Sequence, residues 1–248
     1  MDLLNNDRGA YRFLTGIPPY SSGVIPIDGY EIVHLTLQNP IPYRDGFAMI
    51  EQHLGRLGRP KQALCAIALR CPEPMSFDGF AGFNADYRAI LEDWDLLVDG
   101  HNPVARTNVA PAIRTPTETL LYGFAYTIDG GAPGTFVVAG AGDLNDQGLV
   151  NRRIVRAGET SADALREKAA TVMERMDDRI QGLGVAWSSV TRANIYTIHP
   201  IHDLLVDSVL TPMAEAAVHG AHWHYAEPPI SGLAFEMDVR GVRQDGFF

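Results

Sequence analysis

Leu165, Ala169, Val172, Met176, Ile180 and Leu183 recur at steps of three and four residues, which predicts one amphipathic helix over 161–183. "ETSADALREK" supplies its start and "QGLG" its glycine stop. A β-branched and aromatic run, "VTRANIYTIH", follows as a strand, then a helical stretch over 201–218 and strands near 221–225 and 233–242. The same order stands earlier in the chain: helix 44–57, strand 63–69, helix 79–91, strands near 104–109 and 120–128. A repeated order at an offset of roughly 115 to 130 residues restricts the chain to a duplicated fold. Each half then reads strand–strand–helix–strand–helix–strand–strand, an α+β arrangement in which two helices cover one face of a mixed sheet. Glycine and proline cluster in "DGGAPG" at 129–134, which places the domain boundary between 1–129 and 130–248.

Of the 248 residues, 46% are hydrophobic and 20% charged, enough apolar content for packed cores. The net charge is -10 and no Lys/Arg run interrupts it, so nucleic acid is not an expected partner. No apolar run is long enough to cross a membrane, and the first residues lack the basic-then-apolar layout of a signal peptide. Cys65 and Cys71 have no metal-type spacing and suit a reducing compartment. The expected location is therefore the cytoplasm.

"GIPPYSSGVIPIDGYEIVHLTLQNP", "FNADYRAIL" at 83–91 and "PVARTNV" at 103–109 occur in the order of the opening hairpin, the Asn-x-x-Tyr helix and the Pro-x-Arg strand of the Rid (YjgF, reactive intermediate deaminase) family. In the second half, "FVVAGAGDL" resembles that family's Val-Ser-Gly strand and "LAFEMDVRGV" its closing Glu-x-Glu strand. The chain thus resembles two tandem Rid-like (chorismate-mutase-like) domains where most members have one. The resemblance implies a carboxylate-binding role for Arg106, a pocket-lining role for Tyr20, an ordering role for Asn84 and a water-aligning role for Glu236. It also implies threefold assembly, here a homotrimer, with sites in clefts and neither metal nor organic cofactor.

The two halves are not equivalent. The first places Tyr122 where the family acid belongs, with Glu118 just before that strand. The second keeps Glu236 but has "HGAHWH" where the arginine belongs. Either a composite cleft draws on both halves, or some of the family-like sites have degenerated. His222 and His224 project to one face of a strand, as a metal pair would, but no carboxylate or cysteine completes a shell. They are expected instead to bind an anionic substrate beside Arg106. "AGAG" at 139–142 lacks the spacing of a dinucleotide fingerprint. The resulting expectation is a hydrolytic deaminase of a small carboxylate-bearing enamine or imine, 2-aminomuconate or a substituted form of it being preferred. A non-catalytic small-molecule-binding Rid-like protein and a chorismatase-like hydrolase are the alternatives.

Overall fold

A computed structural model describes residues 1–130, 134–146 and 151–248. The chain opens with β1 (Leu3–Asn6), β2 (Tyr11–Leu14), β3 (Gly23–Pro26) and the long β4 (Tyr30–Pro42). There follow α1 (Tyr43–Arg56), β5 (Leu64–Arg70), α2 (Phe77–Asp93), β6 (Ala105–Pro111) and β7 (Leu120–Asp129). The second half contains β8 (Phe136–Gly142), α3 (Ala162–Gly182), β9 (Arg192–Tyr196) and a helical stretch over 202–219. It ends with β10 (His222–His224), β11 (Ala226–Glu227), β12 (Glu236–Gly241) and β13 (Gln244–Phe247).

One sheet has the order β11-β6-β5-β7-β4-β13 and the other β1-β2-β3-β8-β12-β9-β10. The duplication is visible in their centres: β6-β5-β7-β4 corresponds to β10-β9-β12-β8. In each, the first two strands run parallel and the next two pairings are antiparallel. The margins differ from the sequence expectation. The opening hairpin does not join the sheet of its own half, because β3 pairs with β8 of the other. In return, β13 pairs with β4 and β11 with β6. The two sheets therefore exchange end strands across the expected 129/130 division. That division falls in the β7–β8 connection, of which 131–133 lie outside the described residues.

The helix pattern places three separate apolar layers. Phe47, Ile50 and Leu54 of α1 and Tyr87 and Leu91 of α2 pack on β4, β5 and β7. Val172, Met176 and Ile180 of α3 pack on β8, β9 and β12. Tyr11, Phe13, Val24, Ile32, Cys65 and Ala139 join strands of both sheets between them. Burying each large side chain of this kind contributes about 1.5–3 kcal/mol, so the helices are held to the outer faces and the sheets to each other. The helix expected over 201–218 is broken into one α-turn, a π-helical turn at Leu205–Leu210 and a 3₁₀ turn at Ala214–His219. Pro212 explains the break, since its ring removes a donor and clashes with the carbonyl of the preceding turn.

Candidate functional site

"PPYSSG" is fastened where α2 meets β6. The Ser21 hydroxyl donates to the Pro103 carbonyl at 2.9 Å, Arg88 donates to the Pro18 carbonyl at 2.8 Å, and the Asn102 amide donates to the Pro19 carbonyl. This fixes Tyr20 over Arg106, whose guanidinium carbon lies 4.7 Å from the Tyr20 ring centre and 4.5 Å from that of Tyr87. Phe80 and Phe83 complete an aromatic surround. Cation–π contacts of about 0.5–2 kcal/mol each offset part of the cost of burying the charge. Arg106 Nη2 donates to Asn84 Oδ1 at 2.5 Å, so Asn84 orients the guanidinium. Arg106 is 3% exposed, and its Nη1 has no hydrogen-bond partner among the described residues. An arginine stays charged in a protein, so this is a buried cation with an open donor.

Arg106 lines a cavity of about 30 Å³ together with Tyr20, Asn108, Gly140 and, from the other sheet, Glu236. That volume is enough for one or two waters. Asn108 stands two residues beyond Arg106 on β6, and both atoms of its amide head also lack a partner among the described residues. Glu236 opens β12 and is 4% exposed. Burial, with the Asp238 charge two residues along, holds its carboxyl well above the usual carboxylate range, against the pull of Arg179 and Arg106. Arg179 reaches in from α3 and donates to the backbone carbonyls of Ala139 and Gly140. Burial likewise raises the Tyr20 hydroxyl, which keeps its proton. The cavity thus presents a carboxyl whose burial favours its protonated form, a phenol, an amide and an open guanidinium edge to one small volume. Such a set can bind a carboxylate at one end and exchange a proton at the other.

Gly140 explains part of "AGAG": a Cβ there would collide with Glu236 Oε1 and lie 3.0 Å from Thr107 Cγ2. Gly140→Ala is expected to leave the fold intact, because a side-chain tip can yield. It should cost at least tenfold in turnover by displacing the carboxyl, as read from kcat and the melting temperature measured together.

Tyr20, Asn84, Arg106 and Glu236 are brought together. His222 and His224 are not. β10 occupies the edge of its sheet, on the far side of β9 from β12, in the position that β6 holds in the other sheet. The duplication therefore carries His224 to another part of the inter-sheet space and leaves His222 at the surface. His222 is exposed and meets Arg192 at 2.9 Å, while His224 stacks on Tyr196 with ring centres 4.9 Å apart. Burial and Arg70 push the His224 imidazole down to about 4. Among the described residues no cluster of His, Cys, Asp or Glu is placed to hold a metal ion. Asn108 and Arg179 were not singled out from the sequence. Asn108 could have been, since a residue two places from Arg106 on a strand shares its face.

A sequence model described as 2-aminomuconate deaminase CnbZ matches residues 3–246. The chain belongs to the CnbZ family. A relative from Comamonas testosteroni, 2-amino-5-chloromuconate deaminase, is 36% identical to this CnbZ-family chain over 238 residues, 94% of each chain. Among solved structures, a chorismatase aligns with a TM-score of 0.50 at 12% identity, covering 89% of this chain and 77% of that one, which is a likeness of fold. A YjgF-family protein from Neisseria meningitidis aligns at 17% identity and a TM-score of 0.27, over 49% of this chain and 97% of its own.

Proposed function

We propose that the chain is a hydrolytic deaminase of 2-aminomuconate or a substituted 2-aminomuconate. The observation that carries this reading is the open guanidinium edge of buried Arg106 in one small cavity with the buried carboxyl of Glu236, whose burial favours the protonated form. In this reading Arg106 and Asn108 grip the substrate carboxylate next to the amine. The Glu236 carboxyl gives its proton to the enamine carbon, converting the C–C double bond and amine to an iminium. The resulting carboxylate takes a proton from water as the oxygen bonds to the iminium carbon. The carbinolamine nitrogen then picks up that proton, the C–N bond breaks and ammonia leaves, while the carbinol hydroxyl returns its proton to the Glu236 carboxylate as the carbonyl forms. One water is consumed per ammonia, and the acid is restored. Neither metal nor organic cofactor takes part. Holding carboxylate, water and acid in register can supply on the order of 7 kcal/mol of barrier reduction.

The cavity of about 30 Å³ admits the reacting end alone, so a six-carbon substrate must displace the apolar wall of Leu144, Ile230 and Leu233. The test is ammonia release from freshly generated 2-aminomuconate. Absence of ammonia together with consumption of chorismate would favour a chorismatase-like hydrolase, and binding without turnover would favour a binding protein.

Arg106→Lys keeps the charge but loses the planar fork, so KM is expected to rise at least tenfold while the far-ultraviolet circular dichroism is unchanged. An unaltered KM would remove Arg106 from the carboxylate end. The family resemblance further supports a homotrimer acting in the cytoplasm on a free small molecule; a monomer by light scattering would remove the trimer.

A further inference from the structure

Between the sheets, on the other side of Thr107 from Glu236, lies a second cavity of about 170 Å³, near the size of about 150 Å³ that accommodates a benzene ring. Its carboxylates are committed. Asp238 accepts from Asn194 at 2.7 Å and from the Tyr196 hydroxyl at 2.8 Å. Asp245 accepts from His34 at 2.9 Å, Arg240 at 2.9 Å and Arg192 at 3.3 Å. Arg70 is different. It is 8% exposed, lies 3.6 Å from the Tyr122 ring centre, and makes no ion pair among the described residues. Its protein acceptor among them is the neighbouring Leu69 carbonyl, 3.0 Å from Nη1. Arg240, 9% exposed, also lines this cavity and leaves its Nε without a partner among the described residues. Burying a guanidinium without a counter-charge is costly, and a bound anion removes the cost.

Part of the wall is not polar. The side chains of Ala66, Ala68 and Val137 line the same space. A cationic end beside aromatic and apolar walls suits an anion with a flat organic body better than a bare inorganic ion.

We propose that this second cavity binds a small, flat carboxylate, with Arg70 holding the carboxylate and the apolar wall covering its body. The duplication supports this placement. Tyr122, which stands where the first copy lacks its acid, lines this cavity, whereas the second copy's Glu236 and the first copy's Arg106 line the other. The site does not depend on the deaminase reading.

The test is calorimetric titration of the intact protein with benzoate. Benzoate is expected to bind the natural protein, and Arg106→Lys should leave a binding event in place. Arg70→Gln and Ala68→Leu should each weaken that event at least tenfold. Ala68→Leu keeps every charge and only fills space, so it decides the matter if Arg70→Gln fails to fold. Ammonia release should be unchanged in Ala68→Leu, which separates this site from the Arg106 cavity. Absence of benzoate binding, or binding that survives both Arg70→Gln and Ala68→Leu, overturns the proposal. Displacement of benzoate by sulfate with equal affinity overturns the assignment to an organic carboxylate.

Discussion

Glu236→Gln is expected to lower kcat by about 10²-fold or more with KM little changed. The substitution keeps the shape of the side chain and its burial but removes the transferable proton. The binding groups, Arg106 and Asn108, are untouched, so the loss falls on steps that need proton movement. The pH profile gives a second readout. Because burial raises the Glu236 carboxyl, its protonated form persists to higher pH than that of an ordinary carboxyl, and the natural enzyme should lose kcat as pH rises through that raised value. The Gln variant should show no such limb. Stability follows the same sign. A carboxyl that binds its proton more tightly folded than unfolded, where it titrates near about 4.3, stabilises the fold below that range and loses the contribution as pH rises through the folded value. Gln should therefore melt no lower than the natural protein, and relatively higher at alkaline pH. Glu118 provides the control: it is exposed and lines neither cavity, so Glu118→Gln should retain normal kcat. A nearly normal rate for Glu236→Gln with a collapsed rate for Glu118→Gln would move the chemistry to the first half.

The elements were legible because each is written in its own periodicity. Leu165 to Leu183 gave α3 to within a residue at each end, and the β-branched run gave β9. The exchange of end strands was not, because pairing β3 with β8 depends on residues more than a hundred positions apart, and period-2 alternation names a face but never a neighbour. The same limit misplaced the histidines. Their alternation on β10 was readable, but which cavity the edge strand borders follows only from sheet order. Arg106, Asn84, Tyr20 and Glu236 came from the Rid resemblance and converge in one place. Lys168 was passed over, although its position carried a signal: it stands three residues after Leu165 and four before Val172, inside the apolar stripe of α3.

That lysine carries the other large expected effect. Lys168 and Asp143 form an ion pair at 2.7 Å with side chains 1% and 0% exposed. Lys168 also donates to the Val155 carbonyl at 2.5 Å, tying α3 to the segment that follows β8. Asp143 Oδ1 accepts from the backbone N–H groups of Ala234 and Phe235 at 3.0 and 3.1 Å, immediately before Glu236. The pair therefore joins α3, the end of β8 and the approach to the site. Lys168→Met is expected to destabilise by about 3–5 kcal/mol, because it leaves a buried carboxylate without its cation while adding little apolar gain. At about 2–4 °C per kcal/mol for a chain of this size, the melting temperature should fall by roughly 10 °C. Combining Lys168→Met with Asp143→Asn should recover part of the loss. The amide oxygen still accepts from Ala234 and Phe235, and no charge is left buried. The surviving fraction of Lys168→Met should also lose turnover, since the backbone that aims Glu236 loses one of its anchors. A melting temperature within about 2 °C of the natural protein, or a double variant less stable than Lys168→Met alone, would mean the pair is not what joins helix, strand and site.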